Sequence, residues 1–545
     1  MNKNDIYQLT IGGCTHDGYG VARLDGMAVF VPGGAVGDVA DVRIVKRLSN
    51  RAIGKIERLI VPSPDRIEND CPAFPSCGGC NYRHISYEAE SRLKCAQIKA
   101  ALERIGGGTC PEIDYFPAPS TDGYRNKAVF PVATAADGRT VFGFYRVNSH
   151  SVVPCPGCRI HAPVFSALAA AVCSFMDDFG VPAYDETAKR GVVRSIFIRR
   201  GEVTGEIMVC LNAAKRRIQH VDELILYLKA ASGQLASVLL SYQPEISNKV
   251  VGDRIFTLWG ASHISDVLCG NRLSLSPHTF YQVNHAQCER LYEQVLTYAA
   301  SCGPLAGLNV LDLFCGAGSI TLALARRCKA AVGIETVPDA VRDACENAAR
   351  NGIDNVRFIC ADAQDAASVL ADIHFQPDLV VVDPPRKGLS EAVCRYLSAL
   401  RIDRIIYVSC DPATLARDVA RLREDGFHPV SVSGFDLFPR TANVETVCLL
   451  SKLNTKQHIE VDIHMDELDL TDAEKKATYS EIKEYVLEHT GLKVSSLYIA
   501  QVKQKCGIIE RENYNKPKSE DAKQPQCPPD KEKAIKEALL HFGMI

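Results

Sequence analysis

The sequence has no long uncharged apolar run and no strong excess of charge of either sign. None of its 545 residues lie in a stretch near the roughly 20 apolar residues that a membrane-spanning helix needs. The N-terminal MNKNDIYQLTIGGCTHDG has no apolar segment before a small-residue cleavage site. We therefore expect a cytoplasmic protein with no membrane partner. The formal net charge of −3 does not decide for or against a nucleic-acid partner, because basic residues can be gathered locally.

The cysteines are numerous but mostly isolated. In a reducing compartment the 22 cysteines are expected to be free thiols, metal ligands or catalytic groups and not disulfides. Most are scattered singly and are interpreted as small buried residues. Two places differ, the cluster within residues 71–80 and the single Cys410.

A chain of this length predicts several domains, and the local patterns divide it into four segments. Residues 1–62 contain short alternating strands between glycine turns, which predicts a small β-barrel. Residues 63–300 have a mixed α+β pattern that includes the cysteine cluster. In residues 301–453 short apolar strands alternate with helical patterns, which predicts an α/β, Rossmann-like doubly wound sheet. Residues 456–545 are charged and mostly helical in pattern, with a polar Pro/Lys-rich segment that we expect to be loosely ordered.

The segment LNVLDLFCGAGSITLALA is typical of a cofactor site. Gly316 and Gly318 follow a strand and open a helix, so the backbone can approach a ligand closely. A GxG turn alone also suits a nicotinamide enzyme, but the third glycine of GxGxxG is missing. Glu335 and Asp362 end the next two strands, where they could meet the ribose and the adenine amino group. The pattern therefore favours a methyl donor.

Cys410 follows a buried apolar strand in RIIYVSCDPATLARDVARL. Asp411 is predicted to cap the next helix and Pro412 suits its first turn, so the helix field should favour the thiolate. A thiolate can add to C6 of uracil, which makes C5 nucleophilic enough to accept a methyl group. A base must then remove the C5 proton. The alternative is one more buried cysteine.

A further strand ends in VVVDPPRKG, where two prolines stiffen the turn. Asp383 could accept the N3 proton of a uracil that has left its stack, and Arg386 could contact phosphate or the thiolate. A DPP turn also fits methyltransferases that act on the amino group of adenine, so this motif alone leaves both chemistries open.

Together the motifs LDLFCGAGS, DPPRKG, VSCDPATLARD and DLFPRTANVET, in this order, resemble the TrmA/RumA-type RNA 5-methyluridine methyltransferases over about residues 5–453. The resemblance implies S-adenosylmethionine as donor, Cys410 as the nucleophile and Glu445 as the base that removes the C5 proton. Arg440 and Asn443 stand where histidines are common in the family, so the surroundings of Glu445 differ. The residues that the resemblance implies for the donor pocket are Gln282, Phe314, Ser319, Glu335, Asp362 and Asp383.

The resemblance also bears on the RNA. YRNKAVFPV is similar to the family's substrate-facing strand, which makes Arg125 a candidate RNA contact. The N-terminal barrel resembles a TRAM domain, an RNA-binding module of the oligonucleotide-barrel type. Lys46, Arg47 and Arg51 could contact phosphate there or form a solvated turn. By resemblance, large-subunit ribosomal RNA is favoured over the T-loop of transfer RNA. A noncatalytic RNA-binding protein that retains the fold is the alternative from another class.

Cys71, Cys77 and Cys80 are spaced C-x5-C-x2-C, which is typical of metal ligands. CPGC offers Cys155 or Cys158 as the fourth ligand. The family resemblance implies Cys158 and a 4Fe–4S cluster, while structural zinc is the alternative. The role of residues 456–545 also stays open between an additional nucleic-acid contact and an accessory or partner-binding domain.

Overall fold

The computed structural model describes residues 1–245, 249–452, 479–506, 527–542 and Met544. The chain divides into two compact units, residues 1–454 and 455–545. The expectations for 456–478 and 507–526, including the loosely ordered Pro/Lys-rich segment, lie mainly outside the described residues.

The N-terminal segment forms a six-stranded, mainly antiparallel sheet in the order β1-β5-β6-β4-β3-β2. Alternate residues of every strand except β2 point into one core, which includes Leu9, Val29, Val42 and Ile44. Closure of this sheet into a barrel stays a prediction. Its strands are β1 (Ile6–Thr10), β2 (Gly13–Cys14), β3 (Gly20–Leu24), β4 (Met27–Val31), β5 (Val39–Arg47) and β6 (Arg51–Val61).

A seven-stranded sheet, in the order β10-β9-β8-β11-β12-β13-β14, forms the centre of the larger unit. Two helices pack into one shared apolar core with it. A hairpin, β15 with β16, follows. The elements are β8 (Lys127–Thr134), β9 (Thr140–Tyr145), β10 (Val152–Pro154), α2 (Pro163–Asp178), β11 (Val193–Arg200), β12 (Ile207–Ala213), α3 (Val221–Ala231), β13 (Leu235–Tyr242), β14 (Arg254–Gly260), β15 (Ile264–Leu268) and β16 (Asn271–Leu275).

The third sheet has the order β19-β18-β17-β20-β21-β23-β22-β7, and the strands from β19 to β21 are parallel. This confirms the predicted α/β class. The chain turns from one side of β17 to the other between β19 and β20, so β17 and β20 flank a topological switch point. The elements are α4 (His285–Ala300), β17 (Asn309–Leu313), α5 (Ser319–Ala325), β18 (Ala330–Glu335), α6 (Pro338–Arg350), β19 (Val356–Cys360), α7 (Ala366–Asp372), β20 (Leu379–Val382), α8 (Glu391–Ala399), β21 (Arg404–Ser409), α9 (Pro412–Arg423), β22 (Phe427–Phe435) and β23 (Glu445–Lys452).

This sheet also contains elements from far earlier in the chain. Strand β7 (Ile113–Phe116) pairs in parallel with β22, and helix α1 (Tyr87–Arg104) inserts Ile98 and Leu102 into the core that the sheet forms with α9. The sequence assigned both elements to 63–300. The predicted domain boundaries stay a prediction, but the packing joins residues 87–116 to the later sheet.

The second unit is helical where it is described. Helices α10 (Tyr479–Thr490), α11 (Ser496–Lys505) and α12 (Pro529–His541) share an apolar core. The core contains Ile482, Val486, Ile499, Val502 and Ile535. Across the described parts of both units, no helix has the length and apolar character needed to cross a membrane.

Candidate active site at the ends of adjacent strands

The glycine turn after β17 has the shape of a ligand-binding loop. Phe314, Gly316 and Gly318 all have positive φ, at 67°, 54° and 82°. A Cβ at Gly318 would lie only 2.7 Å from the ring of Phe358, so a larger residue cannot fit. Ser319 begins α5, and its hydroxyl lies 2.7 Å from the Tyr292 hydroxyl.

The two predicted acidic residues lie at the same edge as this turn. Glu335 Oε2 accepts a hydrogen bond from the Gly316 amide at 3.1 Å, and both residues line a cavity of about 580 Å³. Asp362 lies just beyond β19, is exposed, and accepts from the Gln364 amide at 2.9 Å. The structure thus places Glu335 in contact with the turn and Asp362 two strands away at the same sheet edge, each already accepting a backbone hydrogen bond.

Gln282 and Arg125 come from different segments that the structure brings together. The Gln282 carbonyl accepts from the Asn126 side chain at 2.8 Å, which joins the segment before α4 to the residue after Arg125. Arg125 itself donates its amide to the Ile160 carbonyl at 3.0 Å and lines a cavity with the cysteines. Arg125 therefore lies beside the cysteine cluster.

The predicted helix start beside Cys410 is confirmed. Asp411 Oδ1 accepts from the amides of Ala413 at 2.8 Å and Thr414 at 3.3 Å, and Pro412 is the first residue of α9. Cys410 lies between the end of β21 and this cap and is half-buried.

Asp383, Cys410 and Glu445 follow or begin three neighbouring strands. Strand β23 runs antiparallel to β21, and Thr446 pairs with Ser409, so Glu445 starts β23 at the edge where Cys410 ends β21. Asp383 follows β20, whose neighbours are β21 and β17. Because neighbouring strands are about 4.8 Å apart, the three side chains share one edge of the sheet.

The glycine turn after β17 lies next to Asp383. The Asp383 amide donates to the Leu313 carbonyl at 3.3 Å, across the switch point between β20 and β17. Of the residues predicted to bind the donor, Phe314, Glu335 and Asp362 lie at the ends of β17, β18 and β19, whereas Ser319 begins α5 and Gln282 precedes α4. Cys410, the predicted nucleophile, directly follows β21, and Glu445, the predicted base, starts β23, with Asp383 between the two groups.

Burial changes the acid–base properties of all three residues. It raises the pKa of Asp383 to about 7, and burial together with the Asp383 charge raises the pKa of Glu445 to about 8. Burial, then the charges of Glu445 and Asp383, raise the pKa of Cys410 to about 11. The sequence-based expectation of a lowered Cys410 pKa is therefore wrong in direction. The charge of Arg386, which is exposed, lowers the pKa of both Cys410 and Glu445 but does not reverse either shift.

The DPPRKG turn is held by a buried carboxylate that the sequence did not single out. Asp418 on α9 accepts from the Leu389 amide at 2.7 Å and from the Tyr407 hydroxyl at 2.8 Å. Gly388 has a positive φ and packs so closely on Asp418 that a Cβ would collide with its carboxylate. This contact fixes the turn that carries Asp383 and links it to the helix behind Cys410.

A second missed residue is Asp312, inside the motif LDLF. It is buried, accepts from the Thr321 hydroxyl at 2.6 Å, and has a pKa that burial raises to about 7. A carboxylate within an apolar strand is unusual, and that signal was available in the sequence. Asp312 ties β17 to α5 on either side of the glycine turn.

The four predicted cysteine ligands lie around one small cavity. Cys71, Cys77, Cys80 and Cys158 line about 70 Å³, together with Cys155. An ion pair joins the segment of Cys71–Cys80 to the segment of Cys158, which is far along the chain. In it Asp70 lies 3.3 Å from Arg159, and Asp70 also lies 2.7 Å from Arg83. The residue before Cys71 thus contacts the residue after Cys158.

Cys155 and Cys158 differ in their surroundings. A hydrogen bond from Cys155 and the nearby His161 ring, 3.2 Å away, lower the pKa of Cys158, whereas the pKa of Cys155 is raised by the same bond and by burial. Within the described residues, no three Cys, His, Asp or Glu side chains converge closely enough to hold a single metal ion.

The chain is similar to known RNA methyltransferases. The profile of the tRNA (uracil-5-)-methyltransferase family matches residues 273–453, and that of the TRAM domain matches residues 2–56. An uncharacterized RNA methyltransferase of Halalkalibacterium halodurans is 37% identical over 455 residues, covering 83% of this chain and 98% of the relative. One of Bacillus cereus is 34% identical over 456 residues, with the same coverage of both chains.

The chain belongs to the tRNA (uracil-5-)-methyltransferase family. It is an S-adenosylmethionine-dependent RNA methyltransferase with an N-terminal TRAM domain. Its fold is similar to that of the Pyrococcus abyssi tRNA (uracil-54, C5)-methyltransferase solved with S-adenosyl-L-homocysteine. The TM-score is 0.66 at 24% identity, covering 81% of this chain and 99% of that one.

Proposed function

We propose that this enzyme methylates C5 of a uridine in RNA, with Cys410 as nucleophile and Glu445 as base. The proposal rests on one observation. Asp383, Cys410 and Glu445 lie at one edge of the sheet, at the ends of neighbouring strands, and Asp383 is beside the glycine turn after β17. An adenine amino-methyltransferase needs neither a cysteine nor a second buried carboxylate at this edge.

The reaction would begin with loss of the Cys410 proton, because the pKa of this thiol is raised. With a pKa of about 11, Cys410 holds its proton at neutral pH and must lose it before sulfur can attack. Asp383, which is partly buried nearby and has a pKa of about 7, can accept this proton at neutral pH, so that Glu445, which is buried and has a pKa of about 8, stays available for the C5 proton. Sulfur then adds to C6 of a uracil that has left its stack, and negative charge develops on the ring.

The remaining steps return the cysteine. The bound donor, S-adenosylmethionine, would supply an electrophilic methyl group to C5 and leave as S-adenosyl-L-homocysteine. Glu445 removes the C5 proton, the C5–C6 double bond re-forms, and the C6–S bond breaks to release Cys410. Asp383 would hold N3 of the ring. We assign donor binding to the following residues: Gln282, Phe314, Ser319, Glu335, Asp362 and Asp383.

For the RNA, we propose large-subunit ribosomal RNA. The support is the resemblance of about residues 5–453, with their TRAM domain and their cysteine cluster, to enzymes of that kind. Residues 1–62 would contact the RNA through Lys46, Arg47 and Arg51, and Arg125 and Arg386 would contact it nearer the site.

Release of tritium from C5 tests this assignment. Purified protein, S-adenosylmethionine and RNA labelled with tritium at C5 of uridine should release one tritium for each methyl group transferred, with ribosomal RNA the better substrate. Methylation without tritium release would identify a different acceptor atom. Preference for the transfer-RNA T-loop would reject the ribosomal assignment, and no methylation of either RNA would favour a noncatalytic binding protein.

We further propose that the cysteine cavity holds a 4Fe–4S cluster through Cys71, Cys77, Cys80 and Cys158. One tetrahedral zinc would draw its sulfurs to about 3.8 Å from one another, given Zn–S bonds of about 2.3 Å. A cubane instead needs thiols spread around a volume, which is how these side chains line their cavity. Such a cluster would brace the RNA-binding region without taking part in methyl transfer.

Metal analysis of a matched cysteine pair tests the ligand set. Protein purified without oxygen should carry about four iron atoms per chain and absorb visible light. Cys158→Ser should lose most of the iron, whereas Cys155→Ser, which changes the neighbouring thiol, should keep it. One zinc per chain and no visible absorption would reject the cluster. Loss of iron only in Cys155→Ser would move the fourth ligand.

A further inference from the structure

The chain segment immediately before Glu445 is a structured connection. Residues 436–444 join β22 to β23, and Phe435 pairs with Glu445 where the two strands meet. Within this segment Arg440 has a positive φ of 69°, an uncommon conformation for a residue with a side chain. The path of the connection therefore determines where Glu445 begins its strand.

Helix α1 holds one side of this connection through buried charges. Lys94 Nζ lies 2.8 Å from Asp436 Oδ1 and 2.7 Å from Glu90 Oε1, and donates to the Phe438 carbonyl at 3.2 Å. Glu90 also accepts from the Arg440 amide at 2.7 Å. Removing one of these charges would leave another buried and unpaired, so such variants are expected to destabilise the whole domain.

The other side is held by Asn81, the residue after Cys80. Its amide donates to the Arg440 carbonyl at 2.8 Å, and its Oδ1 accepts from the Ala442 amide at 3.1 Å. Its Nδ2 donates to the Asp17 carbonyl of the N-terminal sheet at 3.0 Å. One side chain thus joins the N-terminal sheet, the cysteine loop and the connection that leads to Glu445.

We infer that Asn81 is a positioning residue for proton removal from C5, acting through its hydrogen bond to Ala442, three residues before Glu445. The inference rests on the proposed function. Asn81 contacts neither the donor-binding residues nor Glu445 itself. Its substitution should therefore slow one step of the reaction. In that step the C5 proton passes to Glu445, the C5–C6 double bond re-forms and the C6–S bond breaks.

The two side-chain hydrogen bonds of Asn81 can be removed separately, because Oδ1 accepts one and Nδ2 donates the other. Aspartate keeps an oxygen acceptor for the Ala442 amide but loses the donor to Asp17, and alanine loses both. The backbone bonds to Arg440 persist in either variant. Because Asn81 is half-buried, the loss of its side-chain bonds should cost little stability.

Substituting Asn81 should therefore slow the last step and leave the earlier ones intact. With unmodified RNA and S-adenosylmethionine, Asn81→Ala should lower kcat about 10- to 100-fold, as small misplacements of catalytic groups do, with an unchanged KM for RNA. A larger share of the enzyme should be trapped during turnover as a denaturation-stable covalent complex with RNA. Asn81→Asp should behave like the wild type in both measurements.

Asn69→Ala is the matched control. Among the residues that the structure describes, the Asn69 side chain bonds only to the backbone of Cys71, at 2.7 and 3.2 Å, so this variant perturbs the cysteine loop without touching the connection. It should not accumulate the complex. A lower kcat for Asn81→Ala without accumulation, or a higher KM with kcat unchanged, would overturn the inference. If the wild type forms no adduct with 5-fluorouridine RNA, the proposed function itself is refuted, whatever the Asn81 variants do.

Discussion

Cys410→Ala is expected to abolish methyl transfer, lowering kcat by a factor on the order of 10⁶, as removal of a covalent nucleophile does. The reason is chemical: without sulfur at C6, C5 of uracil is too weak a nucleophile to accept a methyl group. Binding of the donor should be unaffected, because the residues after β17 and β18 are unchanged. The measurements are single-turnover methyl transfer and calorimetric binding of S-adenosylmethionine.

A 5-fluorouridine RNA gives a second readout of the same variant. A base can remove a proton from C5 but cannot remove fluorine. The wild-type enzyme should therefore be trapped as a covalent complex, whereas Cys410→Ala should not. Cys345→Ala is the matched control, since Cys345 is an exposed thiol on α6. Full turnover by Cys410→Ala, or an adduct formed without this thiol, would refute the covalent mechanism.

Glu445→Gln is expected to stop the reaction one step later. The amide cannot take the C5 proton, so kcat should fall by about 10²- to 10⁴-fold, the range for loss of a general base. Cys410 can still add to C6 and the methyl group can still transfer. The methylated covalent complex should therefore accumulate on ordinary uridine RNA, where the wild type releases it.

The pH dependence of this step follows from the environment of Glu445. A base with a pKa of about 8 is mostly protonated at pH 7, so only roughly a tenth of the enzyme carries the reactive carboxylate there. Breakdown of the complex in the wild type should speed up as pH rises through 8 and level off above about pH 9. Residual breakdown in Glu445→Gln should lack this rise.

Glu424→Gln provides the control for charge alone, because Glu424 is exposed at the end of α9. It should keep wild-type turnover and pH dependence. Rapid release of methylated RNA by Glu445→Gln would assign the base to another group, with Asp383 the next carboxylate to test.

The sequence was most informative where chemistry and backbone geometry coincide. Strand ends followed by Gly316, Asp383 or Cys410 could be recognised locally, and the Asp411 cap was predicted from adjacent residues and confirmed. The parallel strand order then brought these distant motifs to one edge. Such features depend on neighbours in the chain, which a sequence displays directly.

Other features depend on contacts between residues far apart in the chain. The pKa of Cys410 was mispredicted because burial and the charges of Glu445 and Asp383, none of them visible near residue 410, raise it. The pairing of Asp436 with Lys94 spans more than three hundred residues, as does that of Asn81 with Ala442. No periodicity or spacing rule reveals such partners.

Strand β7 has a practical consequence for how this enzyme can be divided. A fragment cut at residue 301, or at 273 where the family profile starts, would leave the outer edge of β22 without its hydrogen-bonding partner. It would also uncover the apolar surface that Ile98 and Leu102 of α1 fill. Open sheet edges beside bare apolar surface favour aggregation. An expressible catalytic fragment should therefore retain residues 87–116, even though none of them supplies a reacting group.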